Sequence, residues 1–245
     1  MDLMALLHDA ADAVTRAVEP LVDRGEAGTR AGQHHTDLAA DAAVLEVLLP
    51  AGVGVLSEES GLHHPDRELL VVVDPVDGST NAALGLPWWA TSLCVLDRDG
   101  PLTALVVDQA TGARYEATRG GGARRDGAPI RPRATTTLAD AIVGLSDLPP
   151  RRLGWKQFRA MGAIALDLCA VADGRLDGYV DCSVDAHGGW DYLGALLVCR
   201  EAGAVVSDAL GRDLVVRGHE DRRTPVAGAT AALHDELLSQ RQSLA

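Results

Sequence analysis

A chain of 245 residues, 47% hydrophobic and 23% charged, is long enough for one large domain or two small ones and has the composition of a globular protein, neither disordered nor fibrous. Its formal net charge of −13 disfavours a nucleic-acid polymer or an anionic membrane surface as partner, because long-range Coulomb forces would repel both; an anionic substrate would need a metal ion to bring it in. The start MDLMALLHDAADAV lacks a basic n-region and no apolar run approaches a membrane span, so a cytoplasmic protein is expected.

In chain order, Leu3, Leu6, Leu7, Ala10, Val14, Ala17, Val18 and Leu21 recur at three-and-four spacing, which predicts an amphipathic helix ended by Gly25 and Gly28. A second helix, capped by Thr36 or Asp37, runs to a stop at Pro50. Strands are predicted over 53–56 and 69–73. ATSLCVL and PLTALVVD then flank Asp97-Arg98-Asp99-Gly100 as a hairpin, and another pair surrounds Gly120 to Gly122. After about Leu138 the rhythm changes to strand and helix in alternation. Strands are predicted at 141–146, in GYVDCSV, AVVSD and PVAGA, and helices over 162–174, from Trp190 to Gly203, and after a Thr230 cap. The stretch DLPPRRLGWK, 147–156, reads as a surface connection. Two parts are therefore expected, an α+β part over 1–137 and an α/β part over 138–245. Cys94, Cys169 and Cys199 lie in apolar segments and read as reduced core thiols. His34-His35 and His63-His64 read as solvated loop residues, and Trp88 and Trp89 as core or interface anchors.

The chemistry concentrates in LLVVVDPVDGSTN, 69–81. Five aliphatic residues without alternation predict a strand buried on both faces, with Asp74 and Asp77 at its carboxyl end. Pro75 fixes the backbone and leaves the Val76 carbonyl as a third oxygen between the two acids, the kind of shell a hard cation such as Mg²⁺ takes. Gly78, Ser79 and Thr80 open a loop or short helix whose N–H groups suit a phosphate. Glu58 follows another short strand, Asp191 sits in the first turn of a helix, and Asp37 stands near a helix start. Taken singly, these acids have bland readings: a capped turn, a solvated loop, a dipole-complementing acid and a helix cap.

Together, VLSEES, VVDPVDGSTN and GGWDYLGALLVCREAGAVVSD resemble the three signatures of the inositol monophosphatase family, Mg²⁺-dependent, Li⁺-sensitive phosphomonoesterases. GLPWWATSL, GGGARRDGAPI and GAIALDLCAVADGRLDGY extend the similarity along most of the chain. The resemblance implies a layered αβαβα sandwich of the type shared with fructose-1,6-bisphosphatase, two or three Mg²⁺ ions with Mn²⁺ as a substitute, a small phosphorylated metabolite as substrate, and a homodimer as a common state. It implies that Glu58, Asp74, the Val76 carbonyl, Asp77 and Asp191 bind metal, and that Asp37 serves a more weakly held ion. Gly78 and Ser79 would meet the phosphate, Glu58 and Ser79 would activate water, and Asp77, Asp191, Gly162, Ala163 and Ile164 would line the substrate pocket.

Three departures bear on that picture. GQHH stands where the family usually has a basic residue before the Asp37 motif, and the connection at 147–156 is trimmed. The glutamate that inositol-binding members place seven residues before the WD aspartate is Val184 here, with Asp185 beside it. Asp185, helped by His187, is then expected to read a hydroxyl or amine of the substrate. Inositol phosphates, histidinol phosphate, sugar bisphosphates and 3′-phosphoadenosine phosphates are the substrate alternatives. A haloacid dehalogenase-type phosphatase needs its two aspartates two residues apart, whereas Asp74 and Asp77 are three apart. A non-catalytic metal-binding regulatory protein is the remaining alternative, and intact Glu58, Ser79 and Asp191 argue against it.

Overall fold

A computed structural model describes residues 1–21, 24–28 and 33–244. Its first elements are α1 (Leu3–Val18), α2 (His35–Leu48), β1 (Gly54–Ser57), β2 (Gly61–His63), β3 (Leu70–Asp77) and α3 (Ser79–Leu84). A meander follows through β4 (Ala90–Asp97), β5 (Gly100–Asp108), β6 (Arg114–Thr118), β7 (Gly122–Arg125) and β8 (Ala128–Pro129). After a 3-10 turn at Leu138–Asp140 come β9 (Ile142–Ser146), β10 (Gln157–Arg159), α4 (Ile164–Ala172), β11 (Gly178–Asp181), α5 (Gly189–Ala202), β12 (Val205–Asp208), β13 (Pro225–Gly228) and α6 (Ala231–Gln242).

The first sheet has the order β2-β1-β3-β4-β5-β6-β7-β8, and the second β10-β9-β11-β13-β12. Within the first, only β1 and β3 run parallel. Side chains alternate across a strand, and β3 shows where each face goes. Val71 and Val73 join Leu7, Ala10 and Val14 of α1 and Ala40 and Val44 of α2 in one core. Leu70 and Val72 join Leu166 and Leu168 of α4 and Leu193 and Leu196 of α5 in another. Burying each such aliphatic side chain is worth about 1.5–3 kcal/mol, so a strand between two helical layers favours apolar residues at every position. The second core continues into Tyr179, Val206 and Ala227 of the second sheet, whose outer face packs Val143, Val180 and Val226 on Leu233 and Leu237 of α6. The layers therefore read α1/α2, sheet, α4/α5, sheet, α6. That is the αβαβα sandwich expected from the resemblance, with the central helices giving the two halves a shared interior.

Several boundaries differ from expectation. α1 stops at Val18, with Glu19 as C-cap and Pro20 immediately after, a residue that cannot continue a helix. α2 starts earlier than Thr36: His34 is the N-cap and Asp37 is the third helical residue, reaching back to the His34 N–H at 2.7 Å. His34 is accordingly buried, not solvated. Residues 61–63, read as loop, form an edge strand on β1. The connection over 147–156 buries Leu153 and Trp155 and leads into the unforeseen edge strand β10. Cys94, Cys169 and Cys199 are buried thiols, as expected. Among the described residues no helix is long and apolar enough to cross a membrane.

Candidate metal and phosphate site

Three elements converge to build the site. β1 ends at Ser57, and the next residue, Glu58, is held by its N–H on the Val73 carbonyl (3.2 Å) and by its own carbonyl on His219 Nε2 (3.1 Å). Asp74 and Asp77 lie on β3, where the register against β4 shifts between them. That irregularity is pinned on both sides: the Val76 N–H donates to Asp74 Oδ1 (2.9 Å), and Thr91 Oγ1 donates to the Pro75 carbonyl (2.8 Å). Asp191 is in the first turn of α5, where its Oδ2 accepts the Gly188 N–H at 2.6 Å. Glu58, Asp74 and Asp191 each present an oxygen within 4.8 Å of the others.

Such a group is electrostatically costly. Burial, then Asp191 and Glu59, pushes the Glu58 carboxyl up to about 8. Burial, then Glu58, Asp77 and Asp191, holds Asp74 well above the carboxylate range, and burial with Asp191 does the same for Asp77. The charges acting on Glu58 and Asp74 are all carboxylates, so the compensation must come from protons or a bound cation. An all-oxygen donor set fits a hard divalent ion such as Mg²⁺. Asp77 lies outside the group of three; its Oδ2 accepts the Ala165 N–H (2.7 Å) at the head of α4. Asp37 also lies outside it, with its carboxylate engaged by the His34 N–H and, at 3.4 Å, the Thr36 hydroxyl.

Beyond Asp77 the chain turns through Gly78 at φ +85° into α3. A Cβ on Gly78 would lie 3.1 Å from Ala163 Cβ, 3.1 Å from the Trp88 carbonyl and 3.2 Å from the Gly162 carbonyl, so only glycine fits both the backbone and the space. Asn81 ties the same junction by donating from Nδ2 to the Trp88 and Met161 carbonyls, both at 2.7 Å. The structure thus brings Gly162 and Ala163 against the turn that carries Gly78 and Ser79.

The second half contributes a polar wall that the sequence reading only partly identified. β11 ends at Asp181, earlier than the expected strand, and Asp181 is buried, its Oδ2 accepting no hydrogen bond among the described residues. His187 lies between acids: Nε2 is 3.6 Å from Asp181, and Nδ1 is 3.6 Å from Asp191. Burial works against the charged form, but Asp191, Asp181 and Asp77 prevail and hold His187 above its ordinary value. Asp167 of α4 is buried as well, accepts the Trp88 indole N–H at 3.0 Å, and is pushed up to about 7 by that burial. Asp185, expected to act with His187, is instead ion-paired to Arg212 at 2.7 Å, and Val184 is 74% exposed. Asp181 is an acid at a strand's carboxyl end, as Asp77 is, a position that the longer strand expected over GYVDCSV hides.

This arrangement of strand-end acids and a glycine turn between two sheets defines a class, and comparison places the chain in it. The profile of the inositol monophosphatase family matches residues 4–245; the chain belongs to that family. It is 32% identical over 233 residues to a fructose-1,6-bisphosphatase/inositol-1-monophosphatase of Thermococcus kodakarensis, covering 91% of this chain and 89% of the relative. It is 33% identical over 172 residues to the Nus factor SuhB of Vibrio cholerae, covering 64% and 63%. In fold it superposes with TM-score 0.84, at 24% identity, on a Pyrococcus horikoshii protein described as similar to inositol-1 monophosphatase, covering 97% of this chain and 96% of that one.

Proposed function

We propose that the protein is a Mg²⁺-dependent phosphomonoesterase that hydrolyses a small phosphorylated metabolite by direct attack of water. The observation that carries this reading is the convergence of Glu58, Asp74 and Asp191 within 4.8 Å, beside a glycine turn that opens a helix. Glu58, Asp74, the Val76 carbonyl, Asp77 and Asp191 would hold the metal, with Asp37 at the edge of the site for a weaker ion. When bound, the ion supplies Lewis-acid charge that neutralises phosphate oxygens and lowers the pKa of water.

The chain's own residues do the rest. The N–H groups of Gly78 and Ser79 orient the phosphate, since the first amides of a helix lack internal partners. Glu58 and Ser79 hold the water in line with the ester bond, and Glu58 takes its proton as the oxygen–phosphorus bond forms. The ester bond breaks with its electron pair going to the alkoxide oxygen, a solvent water donates the proton that makes the free alcohol, and no phosphoenzyme intervenes. Asp77 orients α4 through Ala165, which places Gly162, Ala163 and Ile164 beside the substrate. The buried Asp181 and His187 supply polar contacts for the non-phosphate part.

The test is a panel of phosphomonoesters, including myo-inositol 1-phosphate, fructose 1,6-bisphosphate, histidinol phosphate and 3′-phosphoadenosine 5′-phosphate, assayed with Mg²⁺ and with EDTA. Phosphate release that requires Mg²⁺ supports the reading; no release from any member refutes it. Rapid quench that traps a phosphorylated aspartate would refute direct attack by water.

A further inference from the structure

Asp41, one helical turn beyond Asp37 on α2, is 8% exposed and stands outside the acidic group. Its Oδ1 accepts hydrogen bonds from the hydroxyls of Ser57 (2.5 Å) and Ser60 (3.2 Å), which flank Glu58 and Glu59. Ser57 Oγ in turn accepts the Glu59 N–H at 3.2 Å, and Ser60 Oγ meets His63 Nε2 of β2 at 2.9 Å. Among the described residues, the side-chain bonds of this one buried carboxylate go to the end of β1 and the turn that follows it. Hydrogen bonds to an ionised acceptor are about twice as strong as neutral ones, and a buried hydroxyl left without its partner is costly.

That turn needs a restraint. Asp74 and Asp191 are seated on a strand and a helix, but Glu58 follows β1 in a turn, and repulsion from its neighbours would push it toward solvent. The geometry points to Asp41 as a positioning residue: by clamping Ser57 and Ser60 to α2, it keeps the Glu58 carboxylate in the group with Asp74 and Asp191. This inference rests on the reading of that group as a Mg²⁺ seat.

Two variants of the full chain test it, Asp41→Ala and the double Ser57→Ala/Ser60→Ala, which removes the same two bonds if the first folds poorly. Mg²⁺ alone is titrated by calorimetry, and melting temperature, kcat and KM are measured alongside. The expected result in both variants is a Mg²⁺ Kd raised about tenfold, equivalent to about 1.4 kcal/mol, with kcat lowered and KM at saturating Mg²⁺ held within roughly twofold. A merely structural role predicts a lower metal-free melting temperature with Mg²⁺ affinity and kcat like the parent's, and that result overturns the assignment of Asp41. A parent chain that takes up no Mg²⁺ overturns the metal seat and the assignment together.

Discussion

Replacing Asp191 by Asn removes one charge from the group of three while keeping the head of α5 intact, because an amide oxygen can still accept the Gly188 N–H now bound at 2.6 Å. At the observed 4.8 Å limit, two like charges repel by about 3.5 kcal/mol at an effective dielectric of ~20. Proton uptake and partial exposure of Glu58 relieve part of that in the metal-free protein. The expected gain for metal-free Asp191→Asn at pH 8 is therefore about 2 kcal/mol, or roughly 4–8 °C in melting temperature for a chain of this length. The gain should depend on pH. Glu58 binds its proton more tightly folded than unfolded, so its contribution to stability is complete below its ordinary 4.5 and is lost as pH rises to about 8. Variant and parent should then melt together near pH 5 and separate toward pH 8. Saturating Mg²⁺ should invert the order, because it stabilises only the chain that can bind it. Melting curves at both pH values, in EDTA and in Mg²⁺, decide the matter. A metal-free variant that melts at or below the parent at pH 8 would refute the claim that carboxylate repulsion dominates this site.

Three further outcomes are expected. Glu58→Gln at saturating Mg²⁺ should lower kcat by about 10² or more, the usual scale for a lost general base, with KM little changed; equal losses in binding would refute its role in moving the proton. Gly78→Ala forces a Cβ to 3.1 Å from Ala163 and the Trp88 carbonyl at φ +85°, which should cost about 1–3 kcal/mol, read as a lower melting temperature together with lost turnover. Asp185→Ala should leave kcat/KM on the best panel substrate within roughly twofold, because its carboxylate is taken by Arg212; a tenfold loss would restore it as a substrate contact.

The parts of the fold written in local pattern were legible. The unalternating run before Asp74 announces a strand with helices on both faces, and Asp97 to Gly100 announces the β4–β5 hairpin. The layered architecture came from the resemblance, since nothing in composition says which helices end up between the sheets. What escaped depends on long-range partners. β2 and β10 are three residues each, too short to carry a periodicity. His34 looks like a loop residue until Asp37 reaches back to its amide. Asp77 is seen in the sequence as a metal ligand, but its bond to Ala165 joins residues 88 positions apart. Asp181 is a strand end only in the structure, because GYVDCSV reads as a longer strand than the one that forms.

If the metal ligands are those proposed above, after β1, on β3 and in the first turn of α5, with Asp181 and His187 coming from the second half, two kinds of change separate. A substitution at the carboxyl end of β3 touches every substrate alike. One around Asp181 alters what lies beyond the phosphate, whereas His187 and Gly188 also touch Asp191. On that reading a lineage, or an engineer, can vary the surroundings of Asp181 to try new metabolites while the proposed hydrolytic residues stay in place, which makes them the natural positions for a library aimed at changing preference without rebuilding the reaction.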